Sequence, residues 1–162
     1  MILIALGGNL PSPAGPPADT LRAALATLPE RGVAVLSVSR FYETQAWPDP
    51  SDPPYVNAVA QVSTLQEPVQ LLTTLKQVEQ AFGRRCAKRN APRPLDLDLL
   101  DYHGLVQDGP PVLPHPRLAE RGFVLVPLRD IAPYWRHPAS GAELSEVIAR
   151  LPPEAIALRT LP

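Results

Sequence analysis

Two aspartates on one short strand, preceded by a run of cations, are the residues of this chain best placed to do chemistry. Residues 83–100 read G-R-R-C-A-K-R-N-A-P-R-P-L-D-L-D-L-L. Arg84, Arg85, Lys88, Arg89 and Arg93 come first, and Asp96 and Asp98 follow at once. Leu95, Leu97 and Leu99 alternate with them, which is the two-residue period of a strand with one buried face. Asp96 and Asp98 then share the other face, roughly 7 Å apart. Two like charges this close repel unless a cation lies between or over them. A hard divalent ion such as Mg²⁺ takes oxygen ligands and fills that role where phosphates complete its shell. Guanidinium forks match phosphate oxygens two at a time. The combination points to phosphoryl transfer. Either half alone is commonplace, since half-buried strands expose carboxylates and soluble loops carry arginines. Their direct juxtaposition singles the stretch out.

The rest of the chain must position that stretch. Its 162 residues favour one domain, residues 1–162, with a real hydrophobic core. Apolar residues make up 45% and charged residues 19%, a globular mixture. Net charge is −1, so the positive charge near residue 88 is local, which argues against a general nucleic-acid binder. One cysteine excludes an internal disulfide and a zinc cluster. No apolar run reaches membrane-spanning length, and the start M-I-L-I-A-L-G-G lacks the basic flank of a signal peptide. A soluble, cytoplasmic protein is expected. The 22 prolines fall between elements and read as loop stiffening.

Taken in order, residues 2–6 form an apolar strand stopped by the turn Gly7-Gly8-Asn9. Neither a G-x-G-x-x-G nor a G-x-x-x-x-G-K-[ST] string is present, so no dinucleotide or P-loop fingerprint supports nucleotide binding. Leu21, Leu25 and Leu28 fall at helical spacing, with Asp19 or Thr20 to cap and Pro29 to stop. Residues 33–42 read as one strand, and residues 43–54 as a long proline-rich loop bearing Trp47. From 55 to 64 the chain alternates, placing Tyr55 and Asn57 on one face, an aromatic plane beside an amide that suits a flat polar heterocycle. Pro68 opens a helix carrying Leu71, Leu75, Val78 and Phe82, and Gly83 ends it. Residues 104–114 read as a hairpin or loop, and Leu144, Val147, Ile148 and Leu151 as a short closing helix. Two helices among alternating strands give β-α-β-β-α-β, an α+β, ferredoxin-like, mainly antiparallel sheet with its helices on one face. Tyr55, Asn57, Asp96 and Asp98 would converge on the other.

At this point the residues become recognisable. R-N-A-P-R-P-L-D-L-D-L-L (residues 89–100) closely resembles the signature of the 6-hydroxymethyl-7,8-dihydropterin pyrophosphokinase family of folate biosynthesis. A-L-G-G-N-L, S-R-F-Y-E-T, Y-V-N-A-V and P-H-P-R-L-A-E-R-G-F-V-L-V-P-L are similar to that family's other segments, in its order and over nearly the whole chain. The resemblance implies a cytoplasmic transferase that moves the terminal diphosphate of ATP onto the hydroxymethyl oxygen of the pterin and releases AMP, with no covalent enzyme intermediate. It implies two Mg²⁺ ions between Asp96, Asp98 and the phosphates. Arg84, Arg93, His115 and Arg121 would meet phosphates, Glu79 the ATP sugar and Leu99 the adenine. The pterin would lie between Tyr55 and Phe123, bonded by Asn57 and by backbone near Thr44, with Gln45 and Trp47 on the adjoining loop. Whether Asp98 accepts the hydroxyl proton, or a metal that acidifies the hydroxyl suffices, stays open. The protein is expected to work as a monomer on ATP and pterin, with no nucleic-acid or membrane partner. It departs from the family at Asn90, where many members carry an aromatic, at Gln45-Ala46-Trp47, and at Cys86, where a cation is expected. The loops 43–54 and 84–92 are expected to close over bound nucleotide.

Two other readings use the same residues. A nucleic-acid module on this fold would show aromatics interleaved with basic residues on its sheet face, where this chain carries carboxylates. A metal-dependent phosphohydrolase would also pair two aspartates, and its products would appear without pterin.

Overall fold

The structure, a computed structural model, describes residues 1–85 and 91–162. Cys86 and Asn90, two of the departures noted above, and most of the 84–92 loop lie outside the described residues. Ile2–Gly8 (β1) is central because it is apolar on both faces. It pairs antiparallel with Tyr55–Thr64 (β4) on one side and Asp96–Tyr102 (β5) on the other. Val33–Val38 (β2) and Tyr42–Thr44 (β3) both pair antiparallel with the far edge of β4, and Arg159–Thr160 (β6) adds to β3.

The single strand predicted over residues 33–42 is therefore two. Side chains explain the break. The Ser39 hydroxyl accepts from the Val59 amide, and the Arg40 amide turns onto Asp130, so the ladder loses its partner there. Glu43 and Thr44, predicted as loop, belong to β3 and face Val56 and Tyr55.

With the predicted second strand split in two, the order through β5 is β-α-β-β-β-α-β, still one mainly antiparallel α+β sheet compatible with the predicted arrangement. Pro17–Thr27 (α1) and Pro68–Ala81 (α2) share one face of the sheet. Leu21 and Ala24 of α1 and Leu71, Leu75 and Val78 of α2 pack on Ile2, Ile4 and Leu6, on Ala58 and Ala60, and on Leu97 and Leu99. Burial of that apolar area is the main stabilising term. Helix α2 begins at Pro68, as predicted, and Glu67 and Gln70 cap its first turn reciprocally.

The opposite face, predicted to be free of helices, is partly covered. Gly122–Ile131 (α3) and Leu144–Ala149 (α4) bury Val124, Leu125, Leu128, Leu144 and Val147 against Leu3, Val59 and Leu100. Sequence reading missed α3 because F-V-L-V-P is β-branched and carries Pro127 inside the helix. The apolar stripe wins over that propensity once β4 offers a surface. Residues 107 and 113 bridge, as the hairpin reading of 104–114 requires.

Candidate active site

The strand register decides which residues meet. Gly7 pairs with Asp96 on one side and Asn57 on the other, and Ala5 pairs with Asp98 and Val59. Adjacent strands lie about 4.8 Å apart, so Asp96 and Asn57 flank Gly7 at opposite ends of one cross-strand row. Small Ala5 and Gly7 between taller neighbours leave a hollow. Above it lies a cavity of about 630 Å³, within the usual range for small-molecule sites. Ala5 and Gly7 are its floor, with Thr44, Tyr55, Asn57 and Phe123 around one part and Arg93, Asp96, Asp98 and Arg121 around another. The smallness of Ala5 and Gly7 on a strand was the signal for this floor in the sequence.

Each aspartate sits on a different set of cations. Asp96 is ion-paired through one oxygen with Arg84 and through the other with Arg93. Burial pushes its carboxyl up, but the Arg93 and Arg84 guanidiniums win and hold it below the usual carboxylate range. Asp98 Oδ2 accepts from Arg121 Nη1 at 2.8 Å and lies 3.7 Å from His115 Nε2. His115 Nδ1 accepts from the Arg117 amide at 3.1 Å, so a neutral ring carries its proton on Nε2, toward Asp98. Burial lowers the His115 pKa, and Arg121 and Arg117 lower it further against the pull of Asp98, which favours that neutral ring. Arg93 Nε is a buried donor with no acceptor among the described residues, a costly group in any folded chain.

Arg93 is held by its main chain as well. Its amide donates to Asn9 Oδ1 at 2.9 Å, and its carbonyl accepts from the Asn9 amide at 3.0 Å. Asn9 Nδ2 also donates to Pro53 O at 3.0 Å, so one side chain ties the strand turn to both flanking loops. Gly8 is required here, because a Cβ on it would sit 2.2 Å from Pro94 O. Sequence reading took Gly8-Asn9 for an ordinary turn and missed this bracket; the G-N pair following a strand was its only trace.

The aromatic part of the cavity is equally specific. Asn57 Nδ2 donates to Thr44 Oγ1 at 2.8 Å, which fixes the amide and leaves its oxygen beside Gly7. Arg93 stacks 5.5 Å from the Tyr55 ring centre and Arg121 5.6 Å from that of Phe123, so the two cations also steady the two rings. Gln45 and Trp47 line the cavity, and Trp47 is 68% exposed.

Four predicted site residues lie outside the cavity lining, and of these Arg84 reaches the site only through its pairing with Asp96. Leu99 packs its side chain into the core under α1 and α2, so only its main chain on the edge strand β5 is left for a ligand. His115 stands behind Asp98, outside the cavity lining. Glu79 is 4% exposed; its Oε1 accepts from the Leu97 amide at 2.7 Å and from Arg84 at 2.6 Å, which places it as a brace behind β5.

Burial is the largest effect on Glu79 and raises its pKa from 4.5 to about 7, against the opposing Leu97 amide and Arg84. A raised carboxyl pKa means that the folded state holds the proton more tightly than the unfolded chain. This contribution is full below pH 4.5 and is lost as pH rises through about 7. We expect the stability of the native chain, read from chemical unfolding across that window, to fall relative to Glu79→Gln as pH rises. Parallel pH profiles for the two proteins would contradict this assignment.

Among the described residues no three His, Cys, Asp or Glu side chains converge as a closed metal site. Asp96 and Asp98 instead present hard oxygen donors side by side, the partial shell that suits Mg²⁺ when a substrate's phosphates supply the rest. No described helix is long and apolar enough to cross a membrane.

Residues 3–133 match the family described as 7,8-dihydro-6-hydroxymethylpterin-pyrophosphokinase. A 2-amino-4-hydroxy-6-hydroxymethyldihydropteridine pyrophosphokinase from Synechocystis sp. is 37% identical over 92% of this chain and 75% of its own length. One of the same description from Porphyromonas gingivalis is 36% identical over 85% of this chain and 94% of its own. The crystal structure of Plasmodium falciparum HPPK-DHPS shares the fold, with a TM-score of 0.66 at 12% identity over 92% of this chain. This chain spans 44% of that longer one. With family match, relatives and fold in accord, the chain belongs to the 7,8-dihydro-6-hydroxymethylpterin-pyrophosphokinase family of folate-biosynthesis transferases.

Proposed function

We propose that this chain, a single cytoplasmic domain acting as a monomer, transfers diphosphate from ATP to the hydroxymethyl group of 6-hydroxymethyl-7,8-dihydropterin and releases AMP. The observation that carries the reading is one cavity with two chemically distinct parts. One part pairs Asp96 and Asp98 with arginines; the other offers Tyr55, Phe123 and an oriented Asn57 amide.

In the reaction the hydroxymethyl oxygen forms a bond to the β-phosphorus, the bond from that phosphorus to the AMP oxygen breaks, and the hydroxyl proton passes to solvent, directly or by way of Asp98. The nucleophile belongs to the substrate, so no enzyme residue becomes covalently attached. Catalysis is then alignment and charge neutralisation. Asp96 and Asp98 would hold two Mg²⁺ ions, which when bound supply positive charge at the phosphate oxygens. The arginines that neutralise the carboxylates in the free protein then exchange partners. Arg84, Arg93 and Arg121 turn from Asp96 and Asp98 toward phosphate oxygens, and Arg93 Nε, which has no acceptor among the described residues, gains one. His115 donates from Nε2 beside them. Tyr55 and Phe123 sandwich the ring, and Asn57, held by Thr44, reads its amide-like edge.

The test is product analysis. With ATP and Mg²⁺, AMP should form only when the hydroxymethyl pterin is added, one AMP for each pterin diphosphate. AMP or free phosphate appearing at the same rate without pterin would mean hydrolysis and overturn the proposal.

A further inference from the structure

The family match ends at residue 133, yet the last stretch of the chain returns to the cavity. Pro153–Ile156 (α5) and the residues joining it to β6 place Ala155, Ala157 and Leu158 along its lining, with Glu154 and Arg159 beside them. This segment is anchored at both ends. A Cβ on Gly122 would lie 1.8 Å from Ala155 O, so the close approach exists only because that residue is glycine. Gly122 sits between Arg121, the partner of Asp98, and Phe123. At the other anchor, β6 pairs with β3, the Leu161 amide donates to Phe41 O at 2.8 Å, and Arg159 reaches Glu43 at 3.3 Å. Strand β3 ends at Thr44, the residue that fixes the Asn57 amide.

The segment thus connects the Phe123 wall to the Thr44 wall. A flat ring stacked between Tyr55 and Phe123 still has edges to shelter from water. Half-buried Ala155 and Leu158 offer small apolar surface there.

We propose that residues 155–158 form a further wall of the pterin subsite and set its fit to a flat bicyclic heterocycle, with Leu158 the side chain in contact. The inference rests on the pterin reading above. It separates this wall from the phosphate machinery, so pterin and nucleotide affinities should respond differently to it.

The experiment uses the full chain with Leu158→Glu and Leu158→Ala. Calorimetric titration with 6-hydroxymethylpterin is run in the presence of Mg²⁺ and a non-hydrolysable ATP analogue, and titration with the analogue is run alone. Leu158→Glu should weaken pterin binding at least about tenfold by setting a charge against the ring, and Leu158→Ala by roughly 3- to 10-fold. The analogue should bind both variants within about twofold of the native chain. If Leu158→Glu fails to fold, Leu158→Ala decides alone. Pterin affinity within twofold of native in the folded variants overturns the wall, and so does an equal loss of both ligands. A native chain that binds nucleotide but no pterin overturns the pterin reading itself, and the wall with it.

Discussion

Asp98→Asn is expected to keep the fold and lose at least about a thousandfold in kcat/KM, on the order of 4 kcal/mol of transition-state stabilisation. Asparagine matches aspartate in shape and still offers Arg121 an oxygen, so packing around β5 is preserved. What disappears is the charge that makes the residue a hard ligand for a divalent ion. The ion pair lost in the free protein is partly exposed, with Asp98 at 32% and Arg121 at 19% side-chain exposure, so its contribution to stability is discounted to about 1 kcal/mol or less. Steady-state kinetics and thermal unfolding of the same preparation check both halves. A folded variant that keeps more than about a tenth of native activity contradicts the metal role of Asp98.

The second large effect is expected at Arg93→Lys, a drop in kcat/KM of about 10²- to 10³-fold with KM for ATP also raised. Lysine retains the charge but not the fork. In the free protein the guanidinium meets Asp96, the Tyr55 ring, Tyr55 Oη and Ala91 O, while its Nε has no acceptor among the described residues. A point charge on a flexible stem can replace one of these contacts at a time. The fold should survive, because the bonds that lock residue 93 to Asn9 come from the backbone and do not depend on the side chain. A lysine variant with more than about a third of native kcat/KM would mean that charge alone suffices and that two-pronged phosphate binding is not what Arg93 does.

How much of this could be read from the chain depends on the range over which each residue acts. Asp96 and Asp98 were readable because strand alternation is a local rule, and the same rule put Tyr55 with Asn57. Register then brought the two pairs onto one face across Gly7, which the β-α-β-β-α-β order implied. The pairing of Arg84 and Arg93 with Asp96, and of Arg121 with Asp98, was not readable. It depends on how separate segments cross the open end of the sheet. Glu79 is instructive. The family resemblance implied contact with the ATP sugar, whereas the helix points it inward at the Leu97 amide. Helix α3 escaped because local propensity opposed it and only burial against β4 favoured it. The C-terminal segment escaped for a different reason: two residues of β6 carry no periodicity, and their place is set by a distant glycine.

The central claim is that Asp96 and Asp98 hold the nucleotide's phosphates through divalent cations while arginines change partners to meet them. A crystal structure of the chain with a non-hydrolysable ATP analogue and Mg²⁺ tests it most directly. The account predicts metal density between both carboxylates and the β- and γ-phosphates, with Arg93 and Arg121 released from the aspartates and bonded to phosphate oxygens. A triphosphate seated away from β5, with Arg93 still on Asp96 and Arg121 still on Asp98, would contradict it.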